Sequence, residues 1–361
     1  MTDNAIVLTG GLLATSDVKT AHGLIRGSSR FSIMAVIDAV HAGQDAGLVM
    51  DGKACNIPVY GSIDNFLEQS SSKCRYCIVG VALPGGVLPA EMKQTLLEAM
   101  QKGMSVVNGG HHPLGEEPAF KAAAQKYGVK ILDIRQTRSP GDYHFWNGEI
   151  MKVKTPRIVV LGTDCAIGKR TTCRFILEMC RSNNIRAEMI YTGQTGWMQG
   201  YTHGFLFDTV PNDFVCGEIE HAVVSCDQEL HPELILIEGQ AALRHPAGPC
   251  GSEFLVSGQA KGVILQHVPF RKLFCDYEAL GFKIPSIEDE IALIGMYGSR
   301  VLAVTLNGEG GTDKDLIAVQ RELEQRLNIP VVRPLEEGVR ALLPVVRAYM
   351  NEFDNDSPDT G

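Results

Sequence analysis

Short apolar runs alternate along the chain with longer segments in which apolar residues recur at helical spacing. In the first half, the runs IVLTGGLL and CIVGVALPGG alternate with bounded segments such as PAEMKQTLLEAMQKG and EEPAFKAAAQKYG. These two segments have Pro near the start and Gly at the end, the usual asymmetry of helix termini. Continuous apolar strands separated by helices of about ten to fifteen residues predict parallel sheets covered on both faces.

The second half repeats the alternation, with strands predicted at RIVVLG, AEMIYTG, LILIEGQAAL, GVILQHVP and VLAVTLNGEG. The polar sequence MKVKTP between the halves indicates a boundary, and 361 residues are long for one core, since single cores stop growing at roughly 250–300 residues. We predict an α/β protein with a Rossmann-like N-terminal domain over 1–152, a P-loop NTPase-like parallel α/β domain over 153–350 and a flexible tail over 351–361. The G-x-G-x-x-G fingerprint does not open the first domain, so NAD binding is not predicted.

The amino-acid composition limits the kinds of partner that we expect this protein to have. A net charge of −9 argues against a nucleic-acid-binding surface and favours small-molecule partners. No apolar stretch is long enough to span a bilayer, and the N-terminus lacks the pattern of a secretory signal, so we expect a cytoplasmic protein with no membrane association. The ten cysteines are expected to be reduced thiols, and the lone C-x-x-C at Cys74 and Cys77 is too weak a signal for a metal site. A homodimer is expected, because enzymes of this size are often symmetric oligomers.

The most specific signal is RIVVLGTDCAIGKRTT, residues 157–172, where four apolar residues lead into a glycine-bounded turn. It predicts a strand, a phosphate-binding loop and the first turn of a helix. Such loops bind anions because backbone N–H groups point inward, the helix offers its positive end and a lysine adds a mobile charge. We expect the phosphates of a ligand to be bound by Gly162, Thr163, Cys165, Ala166, Ile167, Gly168, Lys169, Arg170 and Thr171.

The loop departs from the common P-loop pattern in two ways. Five residues separate Gly162 from Gly168 where the common pattern has four, and Arg170 stands where a metal-binding Ser or Thr is expected. The sequence pattern GTD-x-x-I-G-K resembles that of the dethiobiotin synthetase branch of P-loop proteins, which also has the longer loop. Phosphate binding is therefore predicted, and Mg²⁺ is possible but not required.

Two acidic residues are candidates for proton transfer beside this loop. Glu238 follows four apolar residues in LILIEGQ, and in P-loop proteins an acidic residue at the end of a neighbouring strand holds a metal or polarises water. Asp164 lies inside the loop and could bind a metal, a substrate amine or Lys169. A structural role, such as capping a nearby helix, is the alternative for Glu238.

Further candidates lie in connections after predicted strands, where open α/β sheets bind ligands. The run TGQTGWMQGYT is interpreted as a polar loop whose Gln194, Thr195 and Gln199 are candidates for hydrogen bonds to the substrate. Trp197 could stack on a substrate ring or anchor the loop. In NGGHHP, either His111 or His112 could transfer a proton, bind a ligand or cap the next helix. Candidates for holding an anionic substrate, with surface charge as the alternative, are Arg26, Arg30, Arg135 and Arg138.

Together, NGGHHPLGE, GTDCAIGKRTT, TGQTGWMQG and LIEGQAALRHP resemble the DgcN-type D-glutamate N-acetyltransferases, a P-loop family with a Rossmann-like N-terminal domain long catalogued as a domain of unknown function. The resemblance covers nearly the whole chain. It implies acetyl transfer from acetyl-CoA to the amino group of D-glutamate, in a D-amino-acid breakdown route where a partner dehydrogenase oxidises the product.

The residues are compatible with that chemistry. A phosphate loop can hold the diphosphate of coenzyme A, and Arg170 would supply a second cation in place of a metal. Glu238 is the first candidate for the base that keeps the amine neutral, followed by Asp164 and His112. Asn307, at a strand end, could recognise the adenine of coenzyme A or of ATP. The alternatives are an ATP-dependent ligase or kinase of the dethiobiotin synthetase type and a non-catalytic nucleotide sensor.

Overall fold

The computed structural model describes residues 2–70 and 73–355, which form two compact units. The first contains the chain up to Thr137 together with Gln194–Gly200, and the second contains Arg138–Gly193 and the chain from Tyr201 onwards. Each unit is built on its own parallel sheet, so the predicted α/β class with two such domains is confirmed. No helix within the described ranges has both the length and the apolarity that a bilayer crossing requires.

The first unit contains a six-stranded parallel sheet in the order β3-β2-β1-β4-β5-β6. Its strands are β1 (Asp3–Leu8), β2 (Phe31–Ile37), β3 (Val59–Tyr60), β4 (Tyr76–Val79), β5 (Ser105–Asn108) and β6 (Ile131–Asp133). Its first five helices are α1 (Lys19–Ile25), α2 (Ala46–Asp51), α3 (Ile63–Gln69), α4 (Ala90–Gln101) and α5 (Pro118–Tyr127). This strand order is that of dinucleotide-binding Rossmann domains.

The first unit's core follows from the apolar pattern of its strands and helices. Residues 5–8 of β1 are all buried, as expected for a strand with both faces covered. On α4 the buried residues are Met92, Leu96, Ala99 and Met100, whose spacing of three or four places them on one helical face. The apolar sequence pattern therefore determines both the central strand and the side of the helix that packs.

The second unit contains another six-stranded parallel sheet, in the order β12-β11-β10-β7-β9-β8. Its strands are β7 (Arg157–Gly162), β8 (Ala187–Ile190), β9 (Leu234–Glu238), β10 (Gly262–His267), β11 (Arg300–Leu306) and β12 (Val331–Val332). Its helices are α6 (Lys169–Ser182), α8 (Asn212–Leu230), α9 (Ser252–Val256), α10 (Ile287–Met296), α11 (Asp313–Leu327) and α12 (Leu343–Asn355). The phosphate-loop strand β7 lies between β9 and β10, so the carboxyl ends of these three parallel strands lie side by side.

The run interpreted as a polar loop is helical: α7 spans Gln194–Gln199 and belongs to the first unit. Met198 is fully buried in that unit's core, and Gln199 Nε2 donates to the carbonyl oxygen of Gly23 at 2.8 Å. Trp197 packs partly against the same core, with the Arg30 guanidinium 4.1 Å from its ring centroid. The sequence pattern did not predict this helix, because tertiary packing and not local propensity stabilises it.

Residues 138–152, assigned to the first domain from sequence, group with the second unit. The physical reason is two buried carboxylates on α8. Glu218 accepts a hydrogen bond from the backbone N–H of His144 at 3.0 Å, and Glu220 accepts from those of Asn147 and Ile150 at 2.7 and 3.0 Å. These bonds attach the segment to α8, 15 residues before the expected boundary.

The C-terminal helix extends further than the sequence predicted. Residues 351–355, expected to be part of a flexible tail, form the last turn of α12, while 356–361 lie outside the described residues. Tyr349 is buried and donates its hydroxyl to the carbonyl oxygen of Arg157 at 2.9 Å, and Glu352 pairs with Arg300 at 2.5 Å. Both contacts hold the helix against the sheet beyond residue 348.

Candidate active site

The phosphate loop has the backbone geometry that its glycines predicted. β7 is buried along its whole length, the loop runs over residues 163–168, and the 14-residue helix α6 begins at Lys169. Ala166 and Gly168 have φ values of 55° and 100°, in the left-handed region. A Cβ atom at Gly162 would lie 2.9 Å from the Lys169 Cδ atom, so glycine permits the close approach. Gly168 offers no side-chain cap to α6, whose first N–H groups are the usual anion-binding donors.

Lys169 connects the loop to the segment that follows β9. It is 8% exposed, and its Nζ atom donates to the carbonyl oxygens of Asp164 at 2.6 Å and Ala241 at 2.8 Å. Neutral carbonyls partly solvate the ammonium without cancelling its charge. A positive charge therefore lies beside the loop, where it would attract an anionic ligand.

Asp164 is fully buried, and its carboxylate is surrounded by donors. Its Oδ2 atom accepts from Arg271 Nη1 at 2.7 Å and from the Cys275 N–H at 3.0 Å, and its Oδ1 accepts from the Cys165 N–H at 2.7 Å. Arg271 also pairs with both oxygens of Glu309 at 2.7 and 2.8 Å. The geometry gives Asp164 an evident role in ordering the loop, because three donors already hold its two oxygens.

A second set of polar bonds fixes the loop to the edge of the sheet. The buried Gln266 Oε1 accepts hydroxyl bonds from Thr172 and Thr305, each at 2.6 Å. Asn307 Nδ2 donates to the carbonyl oxygen of Ile167 at 3.0 Å, and its Oδ1 accepts from the Glu309 N–H at 2.8 Å. Asn307 thus lies at the loop, where both polar atoms of its amide hold backbone groups. Its contact with an adenine stays a prediction.

Glu238 is brought to the phosphate loop by strand pairing. It ends β9 in register with Val160 of β7, is 4% exposed, and accepts a hydrogen bond from the Thr192 N–H at 3.1 Å. Burial raises the pKa of the Glu238 carboxyl, while the charges of Arg170 and Lys169 and the N–H groups of Thr192 and Gly193 partly oppose that rise. A carboxyl with a raised pKa beside cations is suited to exchanging a proton with a substrate.

His245 is a site residue for which the sequence gave no signal beyond its place in the LIEGQAALRHP run. Its Nε2 atom lies 3.7 Å from Asp164 Oδ1, and burial lowers the pKa of its imidazole. Asp164, Cys165 and His245 offer metal-ligand atoms that lie within 4.8 Å of one another. The group suits a metal poorly, because His245 Nδ1 accepts the Ala247 N–H at 3.3 Å, which places the proton of the neutral ring on Nε2, and because Arg271 already pairs with Asp164.

In the first unit, the predicted substrate residues fall into two groups. Arg135 donates to the Gly109 carbonyl oxygen at 2.7 Å and to Gln194 Oε1 at 2.8 Å. Gln194 Nε2 and Thr195 Oγ1 both lie within hydrogen-bond distance of the Thr20 hydroxyl, at 3.3 and 3.2 Å. The structure therefore unites Arg135 with Gln194 and Thr195, which are separated in sequence, in one polar cluster.

The second group of predicted substrate residues in the first unit is the histidine pair, which lies at the carboxyl end of β5, as predicted. His112 Nε2 is 2.9 Å from Glu117 Oε1, which Lys93 also contacts at 2.6 Å. Glu117 directly precedes α5, so His112 pairs with a residue at the start of that helix. His111 lies against Gly86, where an added Cβ atom would be 2.7 Å from the histidine backbone nitrogen.

Arg138 belongs to the second unit, where it pairs with the buried carboxylate of Glu218. Its guanidinium also lies 4.4 Å from the ring centroid of Tyr143. Glu218 contacts His144 Nδ1 as well, at 2.8 Å. These bonds place Arg138 in the cluster that attaches residues 138–152 to α8.

Sequence reasoning missed Arg271 and His245, although both follow strands of the sheet. Arg271 lies four residues after the end of β10, and His245 lies seven residues after the end of β9. The rule that α/β sheets bind ligands at the carboxyl ends of strands could have identified both segments. It could not have selected these residues, because their roles depend on pairing with Asp164.

The fold and the loop define a two-domain α/β protein with a Rossmann-like N-terminal domain and a P-loop domain. The family model described as the domain of unknown function DUF1611_C, a P-loop domain, matches residues 144–343, and its companion DUF1611_N, a Rossmann-like domain, matches 39–137. The chain belongs to this DUF1611 family, and the resemblance drawn from its motifs is confirmed.

Two named relatives and one solved structure align with most of the length of this chain. A protein named D-glutamate N-acetyltransferase from Tritonibacter scottomollicae is 28% identical over 291 residues, covering 78% of this chain and 84% of the relative. Another of the same name from a Pseudoalteromonas species is 29% identical over 273 residues, covering 74% and 79%. The crystal structure of a DUF1611 family protein from Anabaena variabilis aligns with a TM-score of 0.85 at 26% identity, covering 96% of this chain and all of that one.

Proposed function

We propose that this protein is an N-acetyltransferase that moves an acetyl group from acetyl-CoA to the amino group of D-glutamate. The observation that carries the proposal is the buried Glu238 carboxyl, with its raised pKa, beside the cationic phosphate loop. Two relatives that carry the name D-glutamate N-acetyltransferase support the choice of reaction and acceptor. The choice of acetyl-CoA as donor rests on the phosphate loop.

The phosphate loop would bind the donor by its diphosphate. The N–H groups at the start of α6 supply donors, and Lys169 supplies a positive charge that is now held by two carbonyl oxygens. Arg170 contributes a second positive charge near Glu238. No step of the proposal hydrolyses the phosphates, so a metal-binding hydroxyl after Lys169 is not required.

The transfer forms one bond and breaks one. The neutral amine attacks the thioester carbonyl, a C–N bond forms, the C–S bond breaks, and coenzyme A leaves as a thiolate that takes up a proton. Glu238 in its ionised form accepts the proton that the amine loses. The raised pKa of Glu238 strengthens it as a base, and the adjacent Arg170 keeps a fraction of it ionised.

The test is a free-thiol assay with purified protein, acetyl-CoA and a panel of D- and L-amino acids. Thiol release that requires D-glutamate, with N-acetyl-D-glutamate identified by mass spectrometry, is the expected result. Release with a different amino acid would retain the acetyltransferase class and change the acceptor. No thiol release with any acceptor would refute the proposal.

A parallel reaction with ATP and Mg²⁺ distinguishes the other classes. Phosphate release that depends on an amino acid would indicate a ligase or kinase, whereas tight nucleotide binding without turnover would indicate a sensor. The cytoplasmic location, the homodimer and the D-amino-acid breakdown route remain predictions from the sequence.

A further inference from the structure

His245 has a buried ring nitrogen without a hydrogen-bond partner among the described residues. The residue is 4% exposed, and its Nε2 atom lies 3.7 Å from Asp164 Oδ1, beyond hydrogen-bonding distance. Buried polar groups are nearly always paired, and an unpaired one is destabilising. Such an atom beside a phosphate loop points to a ligand that supplies the missing partner.

The surroundings of the ring determine what Nε2 can do. Nδ1 accepts the Ala247 N–H at 3.3 Å, so the proton of the neutral imidazole is on Nε2. The rings of Phe274 and Tyr277 pack edge-on against the imidazole with centroids at 5.0 and 5.5 Å. Burial lowers the pKa of His245, which keeps the ring neutral. His245 is thus a fixed, neutral N–H donor.

The charges around this donor favour an anion over a metal ion. The charge of Lys169 acts on His245, and its Nζ atom bonds to the Ala241 carbonyl oxygen in the same connection after β9. Arg271 pairs with Asp164, whose Oδ1 atom lies 3.7 Å from Nε2. Arg271 thus offsets that carboxylate. A metal ion would have to displace the Nε2 proton and approach the charge of Lys169, whereas an oxyanion would gain from that charge.

We infer that His245 donates its Nε2–H to a phosphate oxygen of the ligand bound in the P-loop. His245 is then a ligand-binding residue that adds an uncharged donor to the cationic Lys169. The inference rests on the phosphate-binding part of the proposed function and is independent of acetyl transfer.

Binding of inorganic pyrophosphate and of coenzyme A, measured by calorimetry, tests the inference with two matched variants. In His245→Gln the side-chain amide nitrogen reaches close to the former Nε2 position, whereas in His245→Asn the side chain is too short. We expect His245→Asn to weaken pyrophosphate binding at least about tenfold and His245→Gln to stay within about threefold of the parent. The control is His203→Asn, a histidine of the same unit that pairs with Glu229 at 3.1 Å and should leave binding unchanged.

Imidazole nitrogen NMR supplies a readout that a purely structural role would not change. We expect the His245 ring, assigned by its loss in His245→Gln, to be protonated at Nε2 and its proton signal to move downfield when pyrophosphate binds. Protonation at Nδ1, or unchanged pyrophosphate affinity in a folded His245→Asn protein, would overturn the inference. So would absence of pyrophosphate binding by the parent, or Zn²⁺ binding that His245→Asn abolishes while pyrophosphate binding stays intact. Pyrophosphate binding that depends on His245, without thiol release from acetyl-CoA, would refute the proposed function alone.

Discussion

Replacing Arg271 by Met tests whether the buried ion pair with Asp164 organises the phosphate loop. Asp164 is fully buried, while the Arg271 side chain is 13% exposed and its guanidinium lies 2.7 Å from Asp164 Oδ2. Met preserves much of the side-chain length and removes the charge. The Asp164 carboxylate would then remain buried without a cation.

The structure sets the size of the expected effect. Removing one partner of a buried ion pair typically costs about 3–5 kcal/mol, because an uncompensated charge is left behind. The N–H groups of Cys165 and Cys275 would still donate to Asp164, so we expect about 3 kcal/mol, the lower end of that range. Losing the contact to the half-exposed Glu309 should add little, since exposed ion pairs contribute about 0–1 kcal/mol.

Urea unfolding followed by tryptophan fluorescence measures this cost in the second unit alone. The chain has two tryptophans, Trp146 in the second unit and Trp197 in the first, so a Trp197→Phe background leaves Trp146 as the reporter. Asp164→Asn combined with Arg271→Met removes both charges and should be less destabilising than Arg271→Met alone. A cost below about 1 kcal/mol for Arg271→Met, or a double variant whose cost equals the sum of the two singles, would refute the reasoning.

Three further predictions concern the proposed reaction and the buried carboxyl. Glu238→Gln should lower kcat for acetyl transfer roughly 10²- to 10⁴-fold and leave the KM for acetyl-CoA within about threefold; unchanged turnover would exclude Glu238 as the base. Lys169→Ala should raise the KM for acetyl-CoA at least about tenfold, whereas Lys152→Ala, at an 81% exposed lysine, should not; unaltered donor binding would contradict the loop assignment. Burial raises the Glu238 pKa in the folded state. The parent protein should therefore lose stability as pH rises from the ordinary pKa of 4.5 through the raised pKa, because Glu238 then ionises while buried. The unfolding free energy of Glu238→Gln relative to the parent should therefore increase across that interval, and a pH-independent difference between about pH 4 and 8 would count against the raised pKa.

The amino-acid sequence determined the two sheets and the phosphate loop, because both are encoded locally. Buried parallel strands are continuous apolar runs, so β7, β9 and β10 could be located from their residues alone. The loop could be predicted because Gly162 permits the close approach of Lys169 and Gly168 permits a left-handed turn, and Glu238 because it ends an apolar strand.

Tertiary structure decided which side chains meet at the loop. Arg271 contacts Asp164 across 107 positions of sequence, and His245 reaches it from the connection after β9. The helical form of α7 and its place in the first unit likewise depend on packing and hydrogen bonds to residues more than 160 positions away. Periodicity reports which face of an element is buried and does not report which distant residue packs against it. For that reason the loop was evident from the sequence, whereas the partners that order it became evident only in the folded chain.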